Sequence, residues 1–185
     1  TLRDGAQREG ISFSVVDKLK IARKLDELGV HFIEGGWPGS NPKDEEFFKR
    51  AKGLRLTNAK LVAFGSTRRP HTKAKDDANL AALANAGVKF VTIVGKSSAA
   101  QVTQVLETSL EENLAMIADS IAWLKLKGIT VFFDAEHFFD GFKTDPDYAL
   151  RCLAAASEAK CLVLCDTNGG TLPHEIAAAV KAAKK

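Results

Sequence analysis

Arg3 and Asp4 stand side by side in "TLRDGAQREG", the opening of a 185-residue sequence. A carboxylate beside a guanidinium suits an oxygen-ligated divalent cation next to a group that steadies a developing oxyanion, and such a pair would activate a carbonyl. Further polar groups recur along the chain: Glu34 in "FIEGGWPGSNPKD", Arg68 and Arg69 in "GSTRRPH", Asp134, Glu136 and His137 in "DAEHFFDG", and Asp166 and Thr167 in "DTNGGTLP". Asp134 and Glu136, two apart on a strand, point to one face and offer a second carboxylate pair for a metal. Singly these are weak signals, because Asp-Gly is a common turn. They gain meaning only if the fold gathers them.

The elements that would gather them are legible. Short apolar runs recur at Val30 to Glu34, Lys60 to Phe64, Lys89 to Val94, Ile129 to Asp134 and Cys161 to Cys165. Between them, apolar residues fall at helical spacing, as in Leu19, Ile21, Ala22, Leu25 and Leu28, then Leu110, Leu114, Ile117, Ile121 and Leu124. Gly29, Gly87 and Gly128 each precede a strand, where a helix C-cap belongs. Strands alternating with helices imply an α/β fold with a parallel sheet, either doubly wound or closed as a TIM (β/α)8 barrel. Polar residues follow every strand, whereas an open doubly wound sheet concentrates them at one switch point. The expectation is an incomplete TIM barrel, one partial catalytic domain over 1–185. With "TLRDG" taken as the end of a first strand, it supplies about six of eight units.

Composition narrows the function. With 26 basic and 23 acidic residues the net charge is only +3, too even for a nucleic-acid-binding face. No apolar run reaches the roughly 18 residues of a membrane span. Cys152, Cys161 and Cys165 show no paired CxxC spacing, so a disulfide framework and a structural zinc site are both disfavoured, and buried thiols in a cytoplasmic protein are expected. The glycines of "EGGWPGSN" and "DTNGGTLP" fit neither GxxxxGK[ST] nor GxGxxG and read as turns.

"TLRDGAQREG", "FIEGGWPGSNPKD", "DAEHFFDG" and "LCDTNGGTLP" resemble the DRE-TIM metallolyase family. That family holds the 2-isopropylmalate, homocitrate and citramalate synthases, with hydroxymethylglutaryl-CoA lyase as a relative. The resemblance runs from Thr1 to about Lys185. Within the family, "GGWPGSNPKD", "FGSTRRP", "TSLEENLAMI" and "DAEHFFDG" are most similar to the citramalate synthases, which condense pyruvate with acetyl-CoA on a route to isoleucine. The resemblance implies a divalent metal (Mg, Mn or Zn) with Asp4 as a ligand, and Arg3 at the oxygen of the keto acid or enolate. It implies Gln7 in the same pocket, Glu136 as the acidic group paired with the Arg and substrate region, and Thr167 on the keto-acid carboxylate. It further implies small-molecule partners, acetyl-CoA as co-substrate, and a homodimer carrying a C-terminal regulatory domain.

Two departures stand out. The His-x-His pair that completes the family's metal site is absent from His31, His71, His137 and His174, and Gln101 occupies a position where a His facing the keto acid is expected. Alternatives therefore stay open: a retro-aldol lyase on the same scaffold, or a truncated barrel without catalytic activity. Blander roles compete at single residues. Glu34 is expected to pair with a neighbouring cation, Arg68 and Arg69 to be solvated, His137 to be a hydrogen-bonding residue, Cys161 and Cys165 to be core, and "AAVKAAKK" to be an exposed helix end.

Overall fold

The computed structural model describes residues 1–184. Helix α1 (Val15–Glu27) leads into strand β1 (Phe32–Gly36), followed by α2 (Pro42–Ala51), β2 (Lys60–Ser66), α3 (Ala78–Asn85) and β3 (Phe90–Lys96). The second half runs α4 (Ala99–Gln104), α5 (Leu110–Leu126), β4 (Thr130–Glu136), α6 (Phe138–Thr144), α7 (Pro146–Ala155), β5 (Cys161–Leu164) and α8 (Pro173–Ala183). Local chemistry sets these boundaries. Ser14, Asn41, Asp77, Ser109 and Asp145 each accept a backbone N–H from the first turn of the helix they precede, satisfying a donor the helix cannot. Gly29, Gly87 and Gly128 take φ of 87°, 76° and 75° and turn the chain back to the sheet.

All five strands are parallel and lie in the order β1-β2-β3-β4-β5. Unbroken sequential order has no switch point, so the sheet winds in one sense, as a (β/α)8 barrel does and a doubly wound sheet does not. Alternation within the strands separates two faces. On β4, Val131, Phe133 and Ala135 are buried, while Phe132, Asp134 and Glu136 between them are only half-buried. The buried set packs with Ile117, Ile121 and Leu124 of α5, Leu80 and Leu83 of α3, and Phe47 and Phe48 of α2 to form the core. Full burial of each large side chain stabilises the fold by about 1.5–3 kcal/mol. On the opposite, inner face, Phe32, Phe90 and Phe132 meet edge-on or tilted, with centroids 5.0–5.9 Å apart, and close its lower end.

Two expectations are corrected by the fold. "TLRDG" forms no strand: Leu2 is buried against the core and Asp4–Gln7 close a 3-10 turn instead of joining a ladder, so the described residues hold five strands and not six. Of the thiols only Cys152 is buried; Cys161 is exposed and Cys165 half-buried. The reason is that β5 pairs with β4 on one side only, so nothing covers its other side. Lys181 and Lys184 are exposed as expected for the tail, while Lys185 lies outside the described residues. Among the described residues no helix is long and apolar enough to cross a membrane.

Candidate active site

Parallel strands deliver their C-terminal ends to one mouth. A cavity of about 350 Å³ there is lined by Arg3 and Asp4 from the N-terminal turn, Phe64 of β2, Val94 of β3, Asp134 and Glu136 of β4, and Cys165, Asp166 and Thr167 after β5. Residues from five separate parts of the sequence thus meet, as the barrel expectation required. Arg3 is held on two sides. Its Nε and Nη2 both donate to Glu34 Oε2 at 2.8 Å, and its guanidinium carbon lies 3.7 Å from the centroid of the Phe64 ring. The remaining terminal nitrogen, Nη1, reaches Asp4 Oδ1 at 3.4 Å. Glu34 is therefore the cation's structural partner, as its sequence context suggested.

Glu136 does not pair with Arg3, as the resemblance implied, because Glu34 holds that cation; it pairs with Lys96, its register neighbour across β3 and β4 and a residue that no motif singles out. The available signal was the "GKSS" that follows the third apolar run: a lysine in register with a glutamate on a neighbouring parallel strand is placed to neutralise it. Asp134 sits between these pairs. Burial, then the nearby Glu34 and Glu136, push its carboxyl up to about 6 against the pull of Arg3. The same burial, aided by Asp134 and Glu136, pushes the Cys165 thiol up to about 12, so it is not a thiolate nucleophile. Across the mouth, Asp166 accepts from Thr171 Oγ1 at 2.8 Å and from the Thr171 N–H at 3.1 Å, which hold its carboxyl below the usual range. Thr167 Oγ1 accepts the His137 N–H at 2.8 Å. That bond occupies a lone pair and leaves the hydroxyl proton to donate to an anion in the mouth. His137 itself adopts a left-handed φ of 57°, and its Nδ1 lies 3.5 Å from Asp140 Oδ2.

Three expectations shift. Gln7 lines a separate cavity of about 160 Å³ between the N-terminal turn and the loop after β1; Arg3 alone of the candidates borders both, because the 3-10 turn points Gln7 away from the mouth. Gln101, half-buried on α4, is not among the residues lining the mouth. Arg68 is not solvated: only 5% exposed, it donates to Glu112 at 2.6 Å and Asp119 at 2.8–3.0 Å and ties the loop after β2 to α5, while Arg69 is exposed. One carboxylate on each side of a buried guanidinium makes this a structural clamp, not an anion site.

An HMGL-like family model matches residues 1–185, the entire chain. The chain belongs to the HMGL-like family. It is 56% identical to (R)-citramalate synthase of Aquifex aeolicus over all of the chain and 35% of that protein, and 58% identical to (R)-citramalate synthase of Synechocystis over 95% of the chain and 32% of that protein. A probable 2-isopropylmalate synthase of Methanopyrus kandleri is 33% identical over 95% of the chain and 33% of that protein. The chain spans about a third of the length of these curated relatives. Hydroxymethylglutaryl-CoA lyase from Pseudomonas aeruginosa superposes with a TM-score of 0.75 over 98% of the chain and 61% of that structure at 21% identity, a likeness of fold.

Dependence on a divalent metal is general to this family. Among the described residues, however, no group of three or more His, Cys, Asp or Glu side chains is arranged to hold an ion. Asp4, its side chain 80% exposed, offers a hard-oxygen donor but already meets Arg3 Nη1 through Oδ1, and Glu34 and Glu136 are engaged by Arg3 and Lys96. A catalytic divalent site needs several donors in fixed geometry. These residues alone do not complete one.

Proposed function

We propose that the polypeptide carrying this chain is an acyltransferase that condenses acetyl-CoA with pyruvate, releasing citramalate and CoA. The observation that carries the reaction type is Arg3, clamped by Glu34 and Phe64 at a mouth lined by Thr167. A guanidinium so held is pre-organised toward an oxygen that gains negative charge, and it needs no reorganisation at the moment of reaction. Pyruvate is favoured as acceptor by identities of 54–58% to proteins named (R)-citramalate synthase.

In this reading Thr167 donates its hydroxyl proton to the keto-acid carboxylate, and Arg3 faces the C2 oxygen. A base removes a proton from the acetyl methyl group, the resulting carbanion forms a C–C bond to C2, and the C2 oxygen takes up a proton. Water then cleaves the thioester, giving citramalate and free thiol. Glu136, neutralised by Lys96, borders the substrate without adding a full negative charge against the incoming carboxylate. Asp4 would contribute one ligand to a divalent metal, which would polarise the C2 carbonyl. The reaction is assigned to the cytoplasm and to a homodimer.

The test is CoA release by the polypeptide at the length of its relatives, with acetyl-CoA, Mg²⁺ or Mn²⁺, and pyruvate, 2-ketoisovalerate, 2-ketoglutarate or no acceptor. Release that requires both metal and pyruvate, and that drops by about 10²-fold or more in Arg3→Ala, is expected. Preference for a larger keto acid would overturn the substrate. No release from folded protein with any acceptor would overturn the reaction and leave the lyase or a non-catalytic module.

A further inference from the structure

Arg3 is clamped from two directions, and the source of the second clamp lies outside the mouth. Phe64, on whose face the guanidinium rests, is only 6% exposed and is backed by the indole of Trp37, edge-on at 5.4 Å and 80°. Trp37 follows β1 in "EGGWPGSNP" and is fixed at both ends. Its indole Nε1–H donates to Asn79 Oδ1 at 2.7 Å, and the Asn79 side chain in turn donates to the Ser66 carbonyl at 2.7 Å, joining the ends of β1 and β2 through α3. Its backbone N–H donates to Asp44 Oδ2 at 2.9 Å, and the other oxygen of that carboxylate takes the ammonium of Lys18, 2% exposed. A buried ion pair of this kind is a poor source of net stability; what it does here is fix the carboxylate that receives the Trp37 N–H. Gly36 shows the tightness of the arrangement: at φ +144°, a Cβ there would come within 2.3 Å of the Asp44 carboxyl carbon.

We propose that Trp37 is a positioning residue for Arg3. Anchored by Asn79 and by the Lys18–Asp44 pair, it presses Phe64 into the one orientation that supports the guanidinium plane. Glu34 fixes the guanidinium within its plane; the Trp37–Phe64 stack fixes it perpendicular to the plane. Loss of the stack leaves Arg3 present, charged and paired with Glu34, yet free to tilt off the oxygen it serves. Displacements of about 1 Å at such a group cost on the order of 10²-fold in rate. This inference rests on the reading of Arg3 given above.

The experiment is a double-mutant cycle in the active polypeptide at the length of its relatives, reading CoA release with acetyl-CoA and pyruvate. Trp37→Ala is expected to lower kcat/KM for pyruvate by about 10-fold or more in the parent enzyme, and by less than about 2-fold in the Arg3→Lys enzyme. Trp37→Phe, which keeps a ring but loses the Asn79 anchor, is expected to fall between, and Asn79→Ala to match it. If Trp37→Ala does not fold, as judged by its thermal unfolding, the Trp37→Phe and Asn79→Ala pairs provide the same cycle. Equal losses in the parent and in the Arg3→Lys background would overturn the positioning role, since a purely structural residue lowers both alike. Unchanged activity in Arg3→Lys and Arg3→Ala would instead overturn the reading of Arg3 itself.

Discussion

At the scale of single residues, the mouth separates its charges by pairing. Arg3 has Glu34 and Lys96 has Glu136, which leaves Asp134 as the carboxyl whose charge is least compensated. Its ordinary value of 3.8 moves to about 6 on folding, so the folded chain binds a proton more readily than the unfolded chain between those values. Stability contributed by that proton is present as pH falls from about 6 toward 3.8 and is lost as pH rises through 6. Asp134→Asn removes the charge while keeping the shape. The metal-free variant is therefore expected to be about 1–2 kcal/mol more stable than the parent at about pH 7.5, with the gap closing near pH 4, as read by urea unfolding at both pH values. An equal gap at both would show that solvent already screens this carboxylate.

At the scale of elements, Arg68 shows where sequence reasoning meets its limit. "TRRP" contains two adjacent arginines with the same local composition, and nothing local separates them. The fold does: α5 brings Glu112 and Asp119 to the side of the loop where Arg68 projects, while Arg69 is left outside. Arg68→Leu strands Glu112, whose carboxyl the Arg68 hydrogen bond holds below its usual range, and is expected to cost about 2–3 kcal/mol by thermal or denaturant unfolding. Arg69→Leu is expected to stay within about 0.5 kcal/mol. Comparable costs would contradict the clamp. Lys96 was hidden for a related reason: its partner lies on the next strand, beyond two intervening helices, and only the β3–β4 register reveals it.

At the scale of the whole molecule, repeated local signals carried the architecture. Five apolar runs, helical spacing between them and three C-cap glycines were enough to expect a parallel sheet, and the polar strand ends were enough to prefer a barrel over a doubly wound sheet. The order β1-β2-β3-β4-β5 agrees, and so does the meeting of Arg3, Asp4, Glu136 and Thr167 in one cavity. What was not legible depended on pairing across the sheet. "TLRDG", taken as the end of a first strand, forms no ladder, and Cys161 and Cys165 sit on or beside a strand paired on one side only. Gln7 shares a helical turn with Asp4 but faces a different cavity, because four residues of 3-10 turn redirect it. Periodicity reports which face a residue takes within its own element; it is silent on which neighbour lies opposite.

The central claim is that the acetyl methyl carbon becomes bonded to C2 of pyruvate after losing one proton. The most direct test supplies acetyl-CoA with a trideuterated methyl group, pyruvate and divalent metal to the polypeptide at the length of its relatives, and identifies the products by mass spectrometry. The account predicts citramalate retaining two deuterons in its new methylene, together with free CoA. Acetate retaining all three deuterons, or label left entirely in acetyl-CoA, would contradict it.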